Sequence, residues 1–490
     1  METIRILSPN QIKTVEKEAV DSYFLTEEIL MESAALSVYN IIVERFKGFS
    51  VIIYCGPGNN GGDGLALGRI LSNNGYKVYI DIIDSSKYNG ASKRNFQAAE
   101  KLGLLENKID IKGDKTLIVD AIFGVGLNRV IADDIQGIIS SINSLQNPVI
   151  SLDIPSGING FNGKIMGEQC INSDITVTFI APKIGLYLFP GANFCGEIII
   201  ESLSLPPALF NKLSAPRVNK PIKIKPRKTD IHKSSYGKVI NISGSENYFG
   251  APYFVSKAAL LSGCGYSMLS SPPSIKEAIS SIAPELVYIN ESDIIDSVKS
   301  SSCTVFGPGL GVNYRSKSLL KKIIKIETKN LIIDGDGLTI LADSMKRIKN
   351  IQSSLILTPH PKEMSRLLGK TLDEVENSRI ESALELSTIS NAIVVLKGVY
   401  SVITTPQKDV YINTESSNSL ATAGSGDILC GIIAGLCGYT DPLSAVKSAV
   451  YIHGKVGQYA KEQIGDFGVT ANSLLSFIPE VINSHLDTNL

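Results

Sequence analysis

The stretch VIIYCGPGNNGGDGLALGRILSNN, residues 51–74, passes from an apolar, β-branched run through a glycine-rich loop into a helical pattern. A strand read this way delivers its carboxyl end to a loop, Gly56 to Gly64, whose glycines let backbone N–H groups approach a ligand without side-chain clash. Gly56, Gly58 and Gly61 satisfy G-x-G-x-x-G in the strand–turn–helix setting that cradles a pyrophosphate, although a plain tight turn uses glycine too. Asn59, Asn60 and Asp63 go beyond that pattern, because amide oxygens suit a hard monovalent cation or sugar hydroxyls.

Outward from this stretch the same alternation continues. Residues 77–83, 116–123, 148–154 and 174–182 read as further strands separated by helical patterns, the signature of a parallel sheet covered by helices. The rhythm breaks in a segment rich in proline and lysine, which reads as a linker over 212–228. A second series follows at 237–243, 303–309, 330–336, 354–360, 392–398 and 401–405. After Asp427 a helix is expected over 429–436, with Leu429, Ile432, Ile433 and Leu436 on one face. The chain therefore reads as α/β throughout, with one domain over 1–211 and another over 229–490.

Composition narrows the function. With 490 residues, 43% of them hydrophobic and 19% charged, the chain can bury two real cores. A net charge of −1 provides no global field for nucleic acid or an anionic membrane. The N-terminus lacks a signal-peptide stretch and no run is long enough to span a bilayer, so a soluble, cytoplasmic protein is expected. Seven cysteines without a C-x-x-C pair, and four scattered histidines, argue against disulfides and zinc. A metal here should be hard and oxygen-bound.

Strand ends carry the candidate chemistry. Asp120, Asp153 and Ser156 would join the Asn59–Asp63 loop at one sheet edge, where open α/β sheets bind ligands. Singly, each aspartate is more often a turn-former. In the second half, Ala423-Gly-Ser-Gly-Asp427 opens a helix whose unpaired N–H groups suit a phosphate, and a first-turn carboxylate there is also an ordinary helix stabiliser. Lys397-Gly398 ends one neighbouring strand, and His360, Lys362 and Glu363 follow another. His232 and His453 read as structural.

The order N-N-G-G-D-G, D-A-I-F-G-x-G, D-I-P-S-G and A-P-K-x-G closely resembles the NAD(P)H-hydrate epimerases, with a Rossmann-like three-layer α/β/α fold. The resemblance implies that Asn59, Asn60, Gly61, Gly62 and Asp63, with Gly124, Val125, Gly126, Leu127, Asn128, Arg129 and Val130, hold the hydrated dinucleotide, and that Asp153 contacts it. It also implies potassium on Asn60, Asp120 and Ser156. Leu127 to Val130 departs from the family, which often has a basic or small residue and a second glycine there.

From residue 222 onward, GKVINISGS, GAPYFVSKAAL, FGPGLG, IIDGDGL, LTPHPKEMSRLL, LKG and AGSGD resemble the ADP- or ATP-dependent NAD(P)H-hydrate dehydratases, with a ribokinase-like fold. Carried over, Ala251, Gly311, His360, Pro361, Lys362, Glu363, Met364, Ser365, Arg366 and Asp427 would line the hydrate site. Lys397, Gly398, Val399, Tyr400 and Ser401, with Ser417, Asn418, Ser419, Leu420, Ala421, Thr422, Ala423, Gly424, Ser425 and Gly426, would hold ADP. The family shows T-G-G-S-G-D where this chain has Thr422-Ala423-Gly424, and H-K-G-S-Y-G where it has His232-Lys233-Ser234-Ser235.

Together these resemblances imply bifunctional repair of NADH and NADPH damaged by addition of water. Asp153 would transfer protons in R/S epimerisation. Asp427 would act as general base in ADP-dependent dehydration of the S form, with Mg²⁺ neutralising phosphate charge and a homo-oligomeric assembly expected. Three rivals are a ribokinase-like small-molecule kinase, a Rossmann dehydrogenase, and a non-catalytic first domain serving as a binding module.

Overall fold

A computed structural model describes residues 4–105, 115–226, 230, 232–343, 345, 348 and 351–486. The chain divides into two compact units, through Pro216 and from Arg217.

In the first unit, β1 (Ser50–Cys55), β2 (Val78–Ile82), β3 (Thr116–Ala121), β4 (Val149–Leu152), β5 (Ile175–Phe179) and β6 (Glu197–Glu201) form one sheet in the order β2-β1-β3-β4-β5-β6. Every pair is parallel. Side chains alternate between its faces. Val51, Ile53 and Cys55 pack with Val38, Ile42, Leu65 and Leu67 on one side, whereas Ile52 and Tyr54 pack with Ile139 and Ile142 on the other. Both faces are covered, so β1 reads as an unbroken apolar run. Each of these buried aliphatic side chains contributes about 1.5–3 kcal/mol relative to exposure. The expected three-layer α/β/α architecture is thus present.

The second sheet comprises β7 (Arg217–Val218), β8 (Lys238–Ile242), β9 (Tyr266–Ser270), β10 (Val287–Tyr288), β11 (Cys303–Phe306), β12 (Asn330–Ile333), β13 (Ser354–Leu357), β14 (Ile393–Leu396), β15 (Val402–Thr404) and β16 (Val410–Ile412). Their order is β10-β9-β8-β11-β12-β13-β14-β15-β16-β7, parallel except where β15 runs against β14 and β16. The expected helix begins at Ser425 rather than 429 and runs to Leu436, so Asp427 lies inside its first turn.

The segment read as a linker is partly sheet. Arg217 and Val218 pair with Tyr411 and Ile412, Asn219 N–H donates to the Ile412 carbonyl at 2.8 Å, and Ile224 bridges to Leu486. Prolines and lysines signal a break, and Pro216, Lys220 and Pro221 flank a two-residue edge strand rather than interrupt it. Residues 227–229, which hold the expected start of the second domain, lie outside the described residues. All seven cysteines are free and buried, as small hydrophobes. Among the described residues no helix is long and apolar enough to cross a membrane.

Candidate active sites

Strand order in the first sheet reverses between β1 and β3, so the loops leaving these strands diverge and open a crevice at their carboxyl ends. A cavity of about 840 Å³ occupies that position. Asn59, Asn60, Asp63, Gly124 to Arg129 and Asp153 line it, as expected from the sequence. Gly61, Gly62 and Val130 do not. Gly61 and Gly62 allow close packing: a Cβ on Gly61 would run into the Gly56 carbonyl, and one on Gly62 would stand 2.5 Å from Met31 Cε. Val130 points to solvent, 74% exposed.

Asp153 sits one residue past β4 with a left-handed φ of 67°. Ile154 N–H reaches back to the Leu152 carbonyl at 2.8 Å, closing a γ-turn of the rare, strained kind. Ile180, one residue past β5, repeats the arrangement with φ 70° and a bond from Ala181 N–H to Phe179 O at 2.8 Å. Positive φ on a β-branched residue is a true outlier, and both turns border the cavity, where such strain tends to collect.

The Asp153 carboxylate is held on both oxygens. Val125 N–H donates to Oδ2 at 3.1 Å, and the fully buried Lys183 ammonium pairs with Oδ1. Lys183 spends its other protons on Thr178 Oγ1 at 3.0 Å and the Phe179 carbonyl at 2.8 Å. Lys183 is the lysine of the A-P-K-x-G motif, whose spacing alone assigns it no role. Asp63 and Glu16 share the cavity, and no ion pair or side-chain hydrogen bond joins either to another described residue. Burial first, then the charge of Asp153, pushes the Glu16 carboxyl up to about 7 and Asp63 well above the carboxylate range.

Asn60 is buried with neither carboxamide atom hydrogen-bonded. An orphaned amide oxygen at the cavity wall fits a monovalent cation. Asp120 and Ser156 lie deeper and satisfy each other. Asp120 accepts from Ile122 N–H (3.2 Å), Ser151 Oγ (2.8 Å), Ser156 N–H (2.8 Å) and Ser156 Oγ (2.5 Å). Burial raises the Asp120 pKa against these bonds. Neither residue borders the cavity.

In the second unit the order reverses between β8 and β11, and a denser polar cluster stands at the strand ends. Lys397, at the end of β14, pairs with Asp334 at 2.7 Å, and Thr358 Oγ1 donates to the same Asp334 oxygen at 2.8 Å. Glu363 Oε2 lies 4.0 Å from Lys397 Nζ. Burial would lower the Lys397 pKa, but Asp334 and Glu363 hold it above its ordinary value. His360 caps the helix Pro361–Leu368: its Nδ1 accepts from Lys362 N–H at 3.1 Å, while Glu363 Oε2 accepts from His360 N–H at 2.7 Å. Burial pushes Glu363 up to about 7 and lowers His360.

Gly424 begins the next helix with φ 92°, and a Cβ there would stand 2.8 Å from the Phe254 ring. Glycine is required on both counts. Ala423, where the family has glycine, has no positive φ, so the departure carries no backbone strain. Ser425 N–H is taken by the Thr422 carbonyl at 3.2 Å, leaving Gly426 and Asp427 to present amides without an acceptor among the described residues. A Cβ on Gly426 would lie 3.5 Å from Lys397 Nζ, which places the ammonium beside this helix start. Burial, reinforced by Asp334 and opposed by Lys397, pushes Asp427 up to about 7.

His453 is a satisfied core histidine, as expected, and it positions this turn: Nε2 lies 3.0 Å from both Ser425 Oγ and Ser425 O. Burial lowers it to about 4, so it is neutral.

The other expected residues divide. Ala251 lies against Gly309, and Gly311 N–H donates to Asp336 at 2.8 Å. Met364 is buried in the core, and Arg366 reaches Thr339 Oγ1 at 3.4 Å. Ser401 Oγ donates to Gly398 O at 3.1 Å, and Val399 is exposed. Ser417 and Ser419 bond each other at 2.8 Å, and Ser419 Oγ also donates to Gly457 O. Leu420 packs on Gly457, so part of this expected nucleotide segment faces protein.

Comparison with known proteins gives two family matches: "NAD(P)H-hydrate dehydratase" over residues 239–480 and "YjeF-related protein N-terminus" over 27–185. The chain is 37% identical to a bifunctional NAD(P)H-hydrate repair enzyme of Thermofilum pendens, covering 98% of this chain and 97% of that one. It is 32% identical to the enzyme of the same name from Dictyoglomus turgidum, covering 98% of each. A solved ribokinase-like superfamily protein from Enterococcus faecalis superposes with a TM-score of 0.50 at 24% identity, covering 54% of this chain and 92% of that one.

Proposed function

The chain belongs to the bifunctional NAD(P)H-hydrate repair enzymes, and from that premise we propose that each of its two crevices carries one half of the repair. The first unit interconverts the R and S hydrates; the second dehydrates the S form at the expense of ADP, giving NAD(P)H, AMP and phosphate. The observation that carries this reading is that one chain, similar to these relatives along its whole length, holds an aspartate–lysine pair at the carboxyl ends of the parallel strands in each of its two sheets.

In the second unit Asp427 takes the proton of the ring hydroxyl as its oxygen attacks the terminal phosphate. A carboxyl titrating near 7 is matched to that task. The bond from phosphorus to the nucleotide breaks, while the Gly426 and Asp427 amides and the Lys397 ammonium stabilise the phosphoryl oxygens. Phosphate then leaves the ring carbon as a proton leaves its neighbour, restoring the double bond. Mg²⁺, held chiefly by the nucleotide phosphates, would supply charge neutralisation.

In the first unit Asp153 transfers protons to and from the oxygen on the hydroxyl-bearing carbon. Potassium would sit on the orphaned Asn60 oxygen and add positive charge beside the dinucleotide, with Asp120 and Ser156 trading a mutual bond to join its shell. Residence in the cytoplasm accords with seven free cysteines. Self-association accords with Phe24, Ile29, Leu36 and Val43, which expose an apolar stripe on and beside the helix Glu27–Arg45.

The test supplies mixed R/S NADH hydrate with ADP or ATP and follows NADH absorbance. Full recovery requires both activities, recovery of the S fraction alone requires only the second, and no recovery with either nucleotide overturns the reading.

A further inference from the structure

Inverting a hydroxyl-bearing carbon requires the oxygen to leave one face of the ring and return to the other. Asp153 is poorly placed to serve both faces, because Lys183 and Val125 N–H hold its two oxygens and a γ-turn fixes its backbone. A separate part of the cavity wall comes from the N-terminal helix Pro9–Tyr23. Ser8 caps that helix, and Leu7 is bridged to Lys183, with Leu7 N–H donating to Pro182 O at 2.8 Å. Ile12, Val15 and Ala19 form its buried stripe. Glu16, one turn beyond Ile12, shares the edge of that stripe and borders the cavity.

We propose that Glu16 is a second catalytic acid–base group of the epimerisation, acting on the ring face opposite Asp153. The step rests on the epimerase reading above. Glu16 gives its proton to the departing hydroxyl, and the C–O bond breaks with its electron pair going to oxygen, releasing water. The ring nitrogen lone pair stabilises the cation. Water adds from the other face and passes a proton to Asp153. In the reverse direction the two carboxyls exchange roles, so protons balance with no oxidant or reductant.

The charged groups facing Glu16 are Asp63, Asp153, Lys183, Lys13 and Glu27. Lys183 is committed to Asp153, and a carboxyl titrating near 7 populates both the donor and the acceptor state at neutral pH.

The test measures R/S interconversion by the full chain, first for the parent and then for Glu16→Gln and Glu16→Asp. A parent that does not interconvert the epimers overturns the epimerase reading. With an active parent, Glu16→Gln is expected to lose roughly 10²-fold or more in kcat. Its KM should stay within about threefold, because uniform binding is untouched. Glu16→Asp should recover part of the rate. An unchanged kcat in Glu16→Gln, or a loss carried by KM alone, overturns the assignment.

Discussion

Both units pair a lysine with an aspartate at a strand end, yet they use the pair oppositely. In the first, Lys183 holds Asp153, the carboxylate expected to react, while Glu16 and Asp63 form no ion pair among the described residues. In the second, Lys397 holds Asp334, an auxiliary group, and leaves Asp427 to titrate near 7. The contrast follows the chemistry. A reversible inversion needs two carboxyls that can exchange the roles of proton donor and acceptor. A one-way phosphoryl transfer needs a single base, with the positive charge reserved for the phosphate.

The sharpest way to break this comparison is Asp427→Asn. Nucleotide-dependent recovery of NADH should fall about 10³-fold or more, with R/S interconversion kept within about twofold. Loss of both activities together would mean that the two sites do not act separately.

Next in size is Lys183→Met, which strands Asp153 without its cation. Breaking a buried pair this way costs about 3–5 kcal/mol, visible in the urea transition of the first unit, and interconversion should fall with it. An unshifted transition would show that the ion pair contributes nothing to the fold.

The pH dependence separates the units further. Asp427 works deprotonated and its pKa is raised to about 7, so dehydration should quicken as pH rises through that value and then level off. A rate that declines through the same window would assign the limb to a group that must stay protonated.

The smallest effect is expected for Ala423→Gly. With no positive φ to relieve, the change should alter the KM for nucleotide by less than about twofold.

These differences set what could be read from the residues. The fold was legible because buried parallel strands write themselves as apolar runs, as in Val51–Cys55. Elements with mixed faces were not. The strand Glu197–Glu201 is bounded by charges, and the first sheet's two N-terminal helices went unread although S-P-N-Q at Ser8–Gln11 is a capping-box signal. Among the expected site residues, Asn59, Asn60, Asp63 and Gly124 to Arg129 stand in motifs and line the first cavity. Glu16, Lys183 and Asp334 were not assigned, since their importance comes from what burial places around them. Gly61 and Gly62 also stand in the motif but off the cavity wall, packed closely against Gly56 and Met31.

The short strand Arg217–Val218 carries one more consequence. It covers the free edge of β16, reinforced by the Arg217–Asp409 ion pair at 3.1 Å and by Asn219, whose Nδ2 reaches both Asn413 Oδ1 at 2.8 Å and Lys447 O at 2.9 Å. A polypeptide begun at residue 229 would lack this cover, and the row of amides and carbonyls along Val410–Ile412 would become a template for intermolecular pairing. Expressed alone, the second unit should stay in solution when it starts at or before Arg217 and precipitate when it starts later.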